Sequence, residues 1–193
     1  MTPGFYSRAR DLEQTYLNYA CAGLEQEHPE RYALYVLNTI IGGSMSSRLF
    51  QEVREKRGLA YAISSSMALY SDSGIIKISA GASRDKVRDL LAVVADVVEE
   101  VRSGLIRDEE VAMARELIKG SMMLGLESAE YRMSRLAMNE LLFGRIEELD
   151  ESLRRVDAVT PEKVRELAVG MLRRDAFSLA AVGDLPAGAA LGF

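Results

Sequence analysis

Gly42-Gly43-Ser44-Met45-Ser46-Ser47-Arg48-Leu49-Phe50-Gln51-Glu52-Val53-Arg54-Glu55-Lys56-Arg57-Gly58-Leu59-Ala60-Tyr61 runs through several changes of local structure without a break. The glycine pair follows an apolar stripe and suits a helix C-terminus, where a residue without Cβ turns the chain. Ser46 or Ser47 can cap a second helix, in which Leu49, Phe50 and Val53 face inward. Arg48, Glu52, Glu55 and Lys56 then face outward or across a cleft. Gly58 stops that helix, and an alternating pattern begins at Ala60. Arg54 falls in the last helical turn, where a cation complements the carbonyl end of the helix dipole. Tyr61 opens the strand that follows, so both side chains can reach the same space beyond the turn.

Working outward, residues 60–82 read as a hairpin. Tyr61, Ile63, Ser65, Met67 and Leu69 form a bulky face against the small face Ala60, Ala62, Ser64, Ser66 and Ala68, which would let a helix approach closely. Ser71-Asp72-Ser73-Gly74 supplies the turn before a β-rich run to Ala82. Upstream, Thr15, Leu17, Tyr19 and Cys21 alternate as in a strand, and Tyr32, Ala33, Val36, Leu37, Ile40 and Ile41 trace a helical stripe. Downstream, helical stripes run over 84–102, 108–126, 131–143 and 149–156. Thr160-Pro161 then opens a further helix with a cap residue and an N1 proline. Residues 176–182 return to strand character. Strand, two helices, hairpin, several helices and strand make an α+β domain, an antiparallel sheet of about four strands with helices packed on it. The expected organisation is a lead-in or linker over 1–11, a folded domain over 12–183 and a tail over 184–193.

The chain has 193 residues, and a domain of that length buries on the order of 70% of its unfolded surface. Hydrophobic residues at 48% and charged residues at 27% are ordinary globular values, so a packed core is expected rather than disorder. A net charge of -5, with Lys and Arg interleaved among Asp and Glu, argues against nucleic acid and anionic membrane as partners. No apolar run is long enough for a membrane span, and Met1 to Arg10 lacks the apolar core of a signal peptide. A cytoplasmic or otherwise soluble setting is expected, with an upstream signal left open.

The usual catalytic parts are scarce. His28 is the single histidine and Cys21 the single cysteine, too few for a catalytic zinc site, so no metal ligand is assigned on this chain. A serine triad would need His28 as its base and has no Gly-x-Ser-x-Gly elbow. Cys21 lies in an apolar stretch without a basic neighbour, which suits a buried thiol. Gly42-Gly43-Ser44 lacks the spacing of a phosphate loop and reads as one helix cap followed by another. Met113, Met122, Met123, Met133 and Met138 fall at helical positions and read as core filling.

Arg54, Gly58 and Tyr61, with the preceding Gly-Gly-Ser-Met-Ser-Ser-Arg-Leu-Phe, resemble the non-zinc C-terminal half of the pitrilysin and insulinase type of zinc metallopeptidase, the inverzincins. The likeness is strongest to the processing-peptidase branch and extends over most of the chain. It implies a ferredoxin-like half with extra helices, and zinc carried by a separate N-terminal half or partner subunit through a His-x-x-Glu-His segment. It also implies that Arg54 and Tyr61 reach across a closed chamber to the peptide bond being cut. On the residues alone, an Arg at a helix end and a Tyr on a strand are ordinary capping and packing groups. The resemblance makes them the candidate catalytic and substrate-binding pair, Tyr61 facing the developing oxyanion and Arg54 gripping a substrate carbonyl or holding the tyrosine.

The function expected is therefore substrate positioning in a zinc-dependent metalloendopeptidase that hydrolyses peptides, with this chain inactive alone. A catalytically silent structural or partner subunit of the same fold is the alternative, and an unrelated α+β binding domain is a third reading. A homodimer is left open. A His-x-x-Glu-His segment upstream or in an adjacent gene separates the first two.

Overall fold

A computed structural model of the chain describes residues 3–185. Strand β1 is Phe5–Ala9 and β2 is Thr15–Ala22, followed by helix α1, Arg31–Ile41. A short π-helix, Phe50–Glu55, leads into β3, Ala62–Leu69, and β4, Gly74–Ala82. Helices α2 (Val87–Arg102), α3 (Asp108–Gly125), α4 (Ala129–Phe143), α5 (Leu149–Asp157) and α6 (Pro161–Met171) precede β5, Ser178–Gly183. Among the described residues no helix is long and apolar enough to cross a membrane.

The sheet order is β1-β5-β2-β4-β3. β5-β2-β4-β3 is the ferredoxin-like order of two crossovers and a hairpin, antiparallel at each step. The expected α+β class holds, but the sheet has five strands and is not purely antiparallel. β1 lies inside the expected lead-in and pairs in parallel with β5, Phe5 opposite Leu179 and Ala9 opposite Gly183. Every residue of β1 is exposed, so it carries no buried alternation, and its hydrogen bonds go to residues far away in sequence. Of the tail expected over 184–193, residues 186–193 lie outside the described residues. Asp184 is tied down, its backbone oxygen accepting from Thr15 Oγ1 at 2.8 Å and its carboxylate meeting Arg84 at 2.8 Å.

One face of the sheet is packed against the helices. Leu17, Tyr19, Cys21, Ile63, Ile76, Ile78, Leu179 and Ala181 join Leu34, Leu37, Leu90, Val94, Val164 and Ala168 in a single core. Tyr16, Asn18, Ser64, Ser66 and Lys77 lie exposed on the other face. The small face of β3 is thus the open one, and the bulky face meets the helices. Sequence expectations hold closely for α6, where Thr160 Oγ1 accepts from Lys163 N at 3.4 Å. They hold for α2 as well, whose stripe Val87, Leu90, Leu91, Val94, Val97, Val98 and Val101 is buried throughout. Asp108 is the first residue of α3 rather than its cap. Glu110 does the capping, accepting from Arg107 N at 2.9 Å.

The end of α3 departs from expectation. Val111 and Ala114 are buried, but Leu117 is exposed and Ile118 and Met122 are only partly covered. Met113, Met123, Met133 and Met138 are all more than half exposed, so they do not fill the core. In α4 only Asn139 is buried, because the helix is held at its C-terminal end by polar contacts instead of apolar ones. Those contacts gather on Glu147. Arg31 Nη2 lies 2.5 Å from Glu147 Oε2, the Tyr32 hydroxyl donates to Oε1, and Ser152 Oγ donates to Oε1 at 3.0 Å. Arg135 Nη2 donates to the Glu147 carbonyl at 2.8 Å, and the Arg31 guanidinium lies 4.9 Å from the Phe143 ring. Burial would raise the Glu147 pKa, yet the Tyr32 hydrogen bond and the Arg31 charge outweigh it and hold the carboxylate below its usual range.

A second ion pair fastens the segment after α1 to α3. Arg48 Nε and Nη2 meet the two Glu110 oxygens at 2.8 Å each, and Arg48 also donates to the Leu105 carbonyl. Burial opposes ionisation of Glu110, but the Arg48 fork and the Arg107 backbone N–H prevail and bring its pKa down to about 2 from 4.5.

Glu147→Gln leaves Arg31 buried without its counter-charge and is expected to cost about 3 to 5 kcal/mol of folding stability, read by urea denaturation. Glu110 stabilises the fold at pH values above its unfolded pKa, and that contribution is lost as pH falls from 4.5 through about 2. The denaturation midpoint should drop across that window, and Glu110→Gln should flatten the drop.

Candidate functional site

The candidate site is assembled from the end of α1, the π-helix and the start of β3. Gly42 ends α1, and its carbonyl accepts from Ser65 N of β3 at 2.9 Å. A Cβ at Gly42 would stand 2.6 Å from that same nitrogen, so glycine is required by the close approach of helix end and strand. Neither serine caps the next turn in the expected way. Ser47 Oγ instead donates back to the Ser44 carbonyl at 2.5 Å.

The second helix is π-helical where it carries the motif, Lys56 N–H bonding the Gln51 carbonyl five residues back at 2.9 Å. Leu49 and Val53 are wholly buried and anchor the turn on the core. Gly58 stops it in the left-handed region at φ 56°, which a side chain would strain, and Lys86 Nζ donates to the Gly58 carbonyl at 2.9 Å. Strand pairing begins only at Ala62, opposite Gly81. Ala60 takes the buried position before it, and Tyr61 swings outward, 77% exposed, instead of continuing the inward face of β3.

That swing brings the two candidate residues together. The Arg54 guanidinium carbon lies 4.2 Å from the Tyr61 ring centroid and 4.7 Å from the Phe50 centroid on the preceding turn. Such contacts contribute about 0.5 to 1 kcal/mol each at exposed sites. Among the described residues neither the Arg54 guanidinium nor the Tyr61 hydroxyl has a hydrogen-bond partner. Arg54 has only a loose ion pair with Glu55 at 3.7 Å, and its side chain is 33% exposed. Its neighbours are committed elsewhere. Lys56 at 2.5 Å and Arg57 both bond Glu52, and these hydrogen bonds hold the Glu52 carboxylate below its usual range. The arrangement presents an unspent fork of N–H donors beside a phenol hydroxyl at an open surface, suited to carbonyl or anionic oxygen.

The sequence pattern places Phe50 on the inward face with Leu49 and Val53. It is only half-buried, and its ring covers Arg54. An aromatic residue four positions before an arginine on one helix was the available signal.

The remaining candidates do not join this site. His28 Nδ1 accepts from Glu30 N at 3.1 Å in the turn before α1. Cys21 is fully buried in the core, and burial pushes its thiol up to about 12. Among the described residues no three of His, Cys, Asp and Glu gather as a metal site. The donor set does not fit a zinc ion, since the thiol is locked in its protonated form among apolar side chains and the imidazole closes a turn.

Residues 2–118 match the family described as the peptidase M16 inactive domain. An uncharacterized zinc protease of Mycobacterium tuberculosis is 40% identical over 166 residues, covering 86% of this chain and 38% of the relative. An uncharacterized zinc protease of Bacillus subtilis is 39% identical over 183 residues, covering 93% of this chain and 44% of the relative. The chain thus spans about two fifths of the length of these curated relatives. Among solved structures, the peptidase M16 inactive domain from Pseudomonas fluorescens shares the fold with a TM-score of 0.86 at 23% identity, covering 96% of this chain and 44% of that one. Complex III2 from Candida albicans contains a chain of the same fold, with a TM-score of 0.82 at 20% identity, covering 95% of this chain and 46% of that one. With the match running through more than half of its length, the chain belongs to the peptidase M16 inactive-domain family.

Proposed function

We propose that this chain is the substrate-positioning half of a zinc-dependent metalloendopeptidase, acting on peptides with a zinc-bearing half supplied by the same longer polypeptide or by a partner subunit. One observation carries the reading: a guanidinium with unspent donors stacked on a largely exposed tyrosine, in a region where neighbouring basic groups are consumed by carboxylates. The names of the relatives support peptidase chemistry for the assembled protein. The reading assigns the metal chemistry to the other half, and among the described residues no three of His, Cys, Asp and Glu gather as a metal site. This half gives binding and electrostatic help.

Attack on a peptide carbonyl turns its oxygen into an oxyanion, and a hydrogen-bond donor placed at that oxygen stabilises the transition state more than the ground state. The Tyr61 hydroxyl is that donor. Arg54, held against the same ring, uses its N–H groups to grip a second substrate oxygen and so fixes the peptide relative to Tyr61. Neither residue activates water. The chain alone is accordingly without peptidase activity.

In the enzyme assembled with its zinc-bearing half, Tyr61→Phe should lower kcat by about 10- to 1000-fold with zinc content unchanged. Arg54→Ala should raise KM as well as lower kcat. Unaltered turnover in both variants, or an effect confined to Tm, would assign the pair to packing and the chain to a silent structural partner of the same fold.

A further inference from the structure

We propose that Phe50 is a positioning residue for Arg54: with Tyr61 it clamps the guanidinium between two aromatic faces and aims its donors at the substrate. The role rests on Arg54 and Tyr61 acting on a peptide as proposed above. The Arg54 guanidinium carbon lies 4.7 Å from the Phe50 centroid and 4.2 Å from the Tyr61 centroid, so it has one aromatic partner on its own helix and another just before β3. A guanidinium donates only in its own plane, and stacking on its faces leaves those edge donors free. Among the described residues no hydrogen bond holds it in place, since the 3.7 Å contact with Glu55 is too long for one. A long arginine side chain otherwise loses rotamer freedom on meeting its ligand, and a clamp removes that loss beforehand.

The backbone explains why Phe50 is available. Residues four apart are neighbours on a helix surface, which places Phe50 next to Arg54. The adjacent row, Leu49 and Val53, is wholly buried and fixes the rotation of the turn, leaving the row of Phe50 and Arg54 at the rim. The core is filled by that buried row, so the half-buried ring of Phe50 is spent on the guanidinium.

The test compares Phe50→Leu, which keeps apolar bulk but removes the π face, with Phe50→Tyr, which restores it, in the enzyme assembled with its zinc-bearing half. Phe50→Leu should lower kcat/KM by about 3- to 30-fold at unchanged zinc content, Phe50→Tyr should keep most of the activity, and Phe50→Leu should add nothing in an Arg54→Met background. By NMR on the 193-residue chain, the Arg54 Nε–H resonance should sit upfield under the two ring currents and move downfield in Phe50→Leu. A resonance that does not move, equal losses in Phe50→Leu and Phe50→Tyr, or a full further loss in the Arg54→Met background would overturn the clamp. Loss on Arg54→Met with none on Phe50→Leu removes the clamp alone, whereas no loss on either removes the peptidase reading with it.

Discussion

The contact between Gly42 and Ser65 fixes the two ends of the segment that carries the candidate site. A helix end comes close enough to an edge strand for a backbone hydrogen bond of 2.9 Å, at a spacing that leaves no room for a Cβ. The strand edge is thereby satisfied at that point by the helix terminus, which meets the requirement that buried backbone groups be paired. The chain between the two contact points must then turn, cross and return within a fixed distance. A short π-helix seated by Leu49 and Val53, stopped at Gly58, accomplishes this and delivers Arg54 and Tyr61 to the same rim.

Around that frame, the arginines divide by what their donors meet. Arg31 and Arg48 are structural: one satisfies a buried carboxylate that links α1 to the loop after α4, and the other clips the motif to α3. Both carboxylates are held ionised by these contacts, so the same interactions that order the fold make it acid-sensitive. Arg54 differs because its partners are aromatic faces. Cation–π contacts leave the hydrogen-bond donors of a guanidinium unused.

The open face of the sheet and the exposed apolar residues of α3 and α4 follow from the same economy of core. The buried residues form a single layer between sheet and helices, and α4 is attached through Glu147 and Asn139 rather than through its methionines. The alternation of β2, buried at Thr15, Leu17, Tyr19 and Cys21, shows the face that was covered.

Local pattern determined much of this protein. The hairpin over 60–82, the cap at Thr160, the stripe of α2 and the two breaks at Gly42 and Gly58 were legible because each depends on neighbours in sequence. That residues 54 and 61 share one space was legible from the helix end and the strand start that they occupy. Tertiary structure alone decided the rest. β1 was hidden because all its side chains are exposed and its partner lies at the other end of the chain. The outward fate of the α3 and α4 methionines was hidden because a helical stripe records which residues share a side, not whether that side is covered. The close approach of Gly42 to Ser65 and the outward swing of Tyr61 were hidden because they depend on where a helix end and a strand come to lie in the fold, which no local preference encodes.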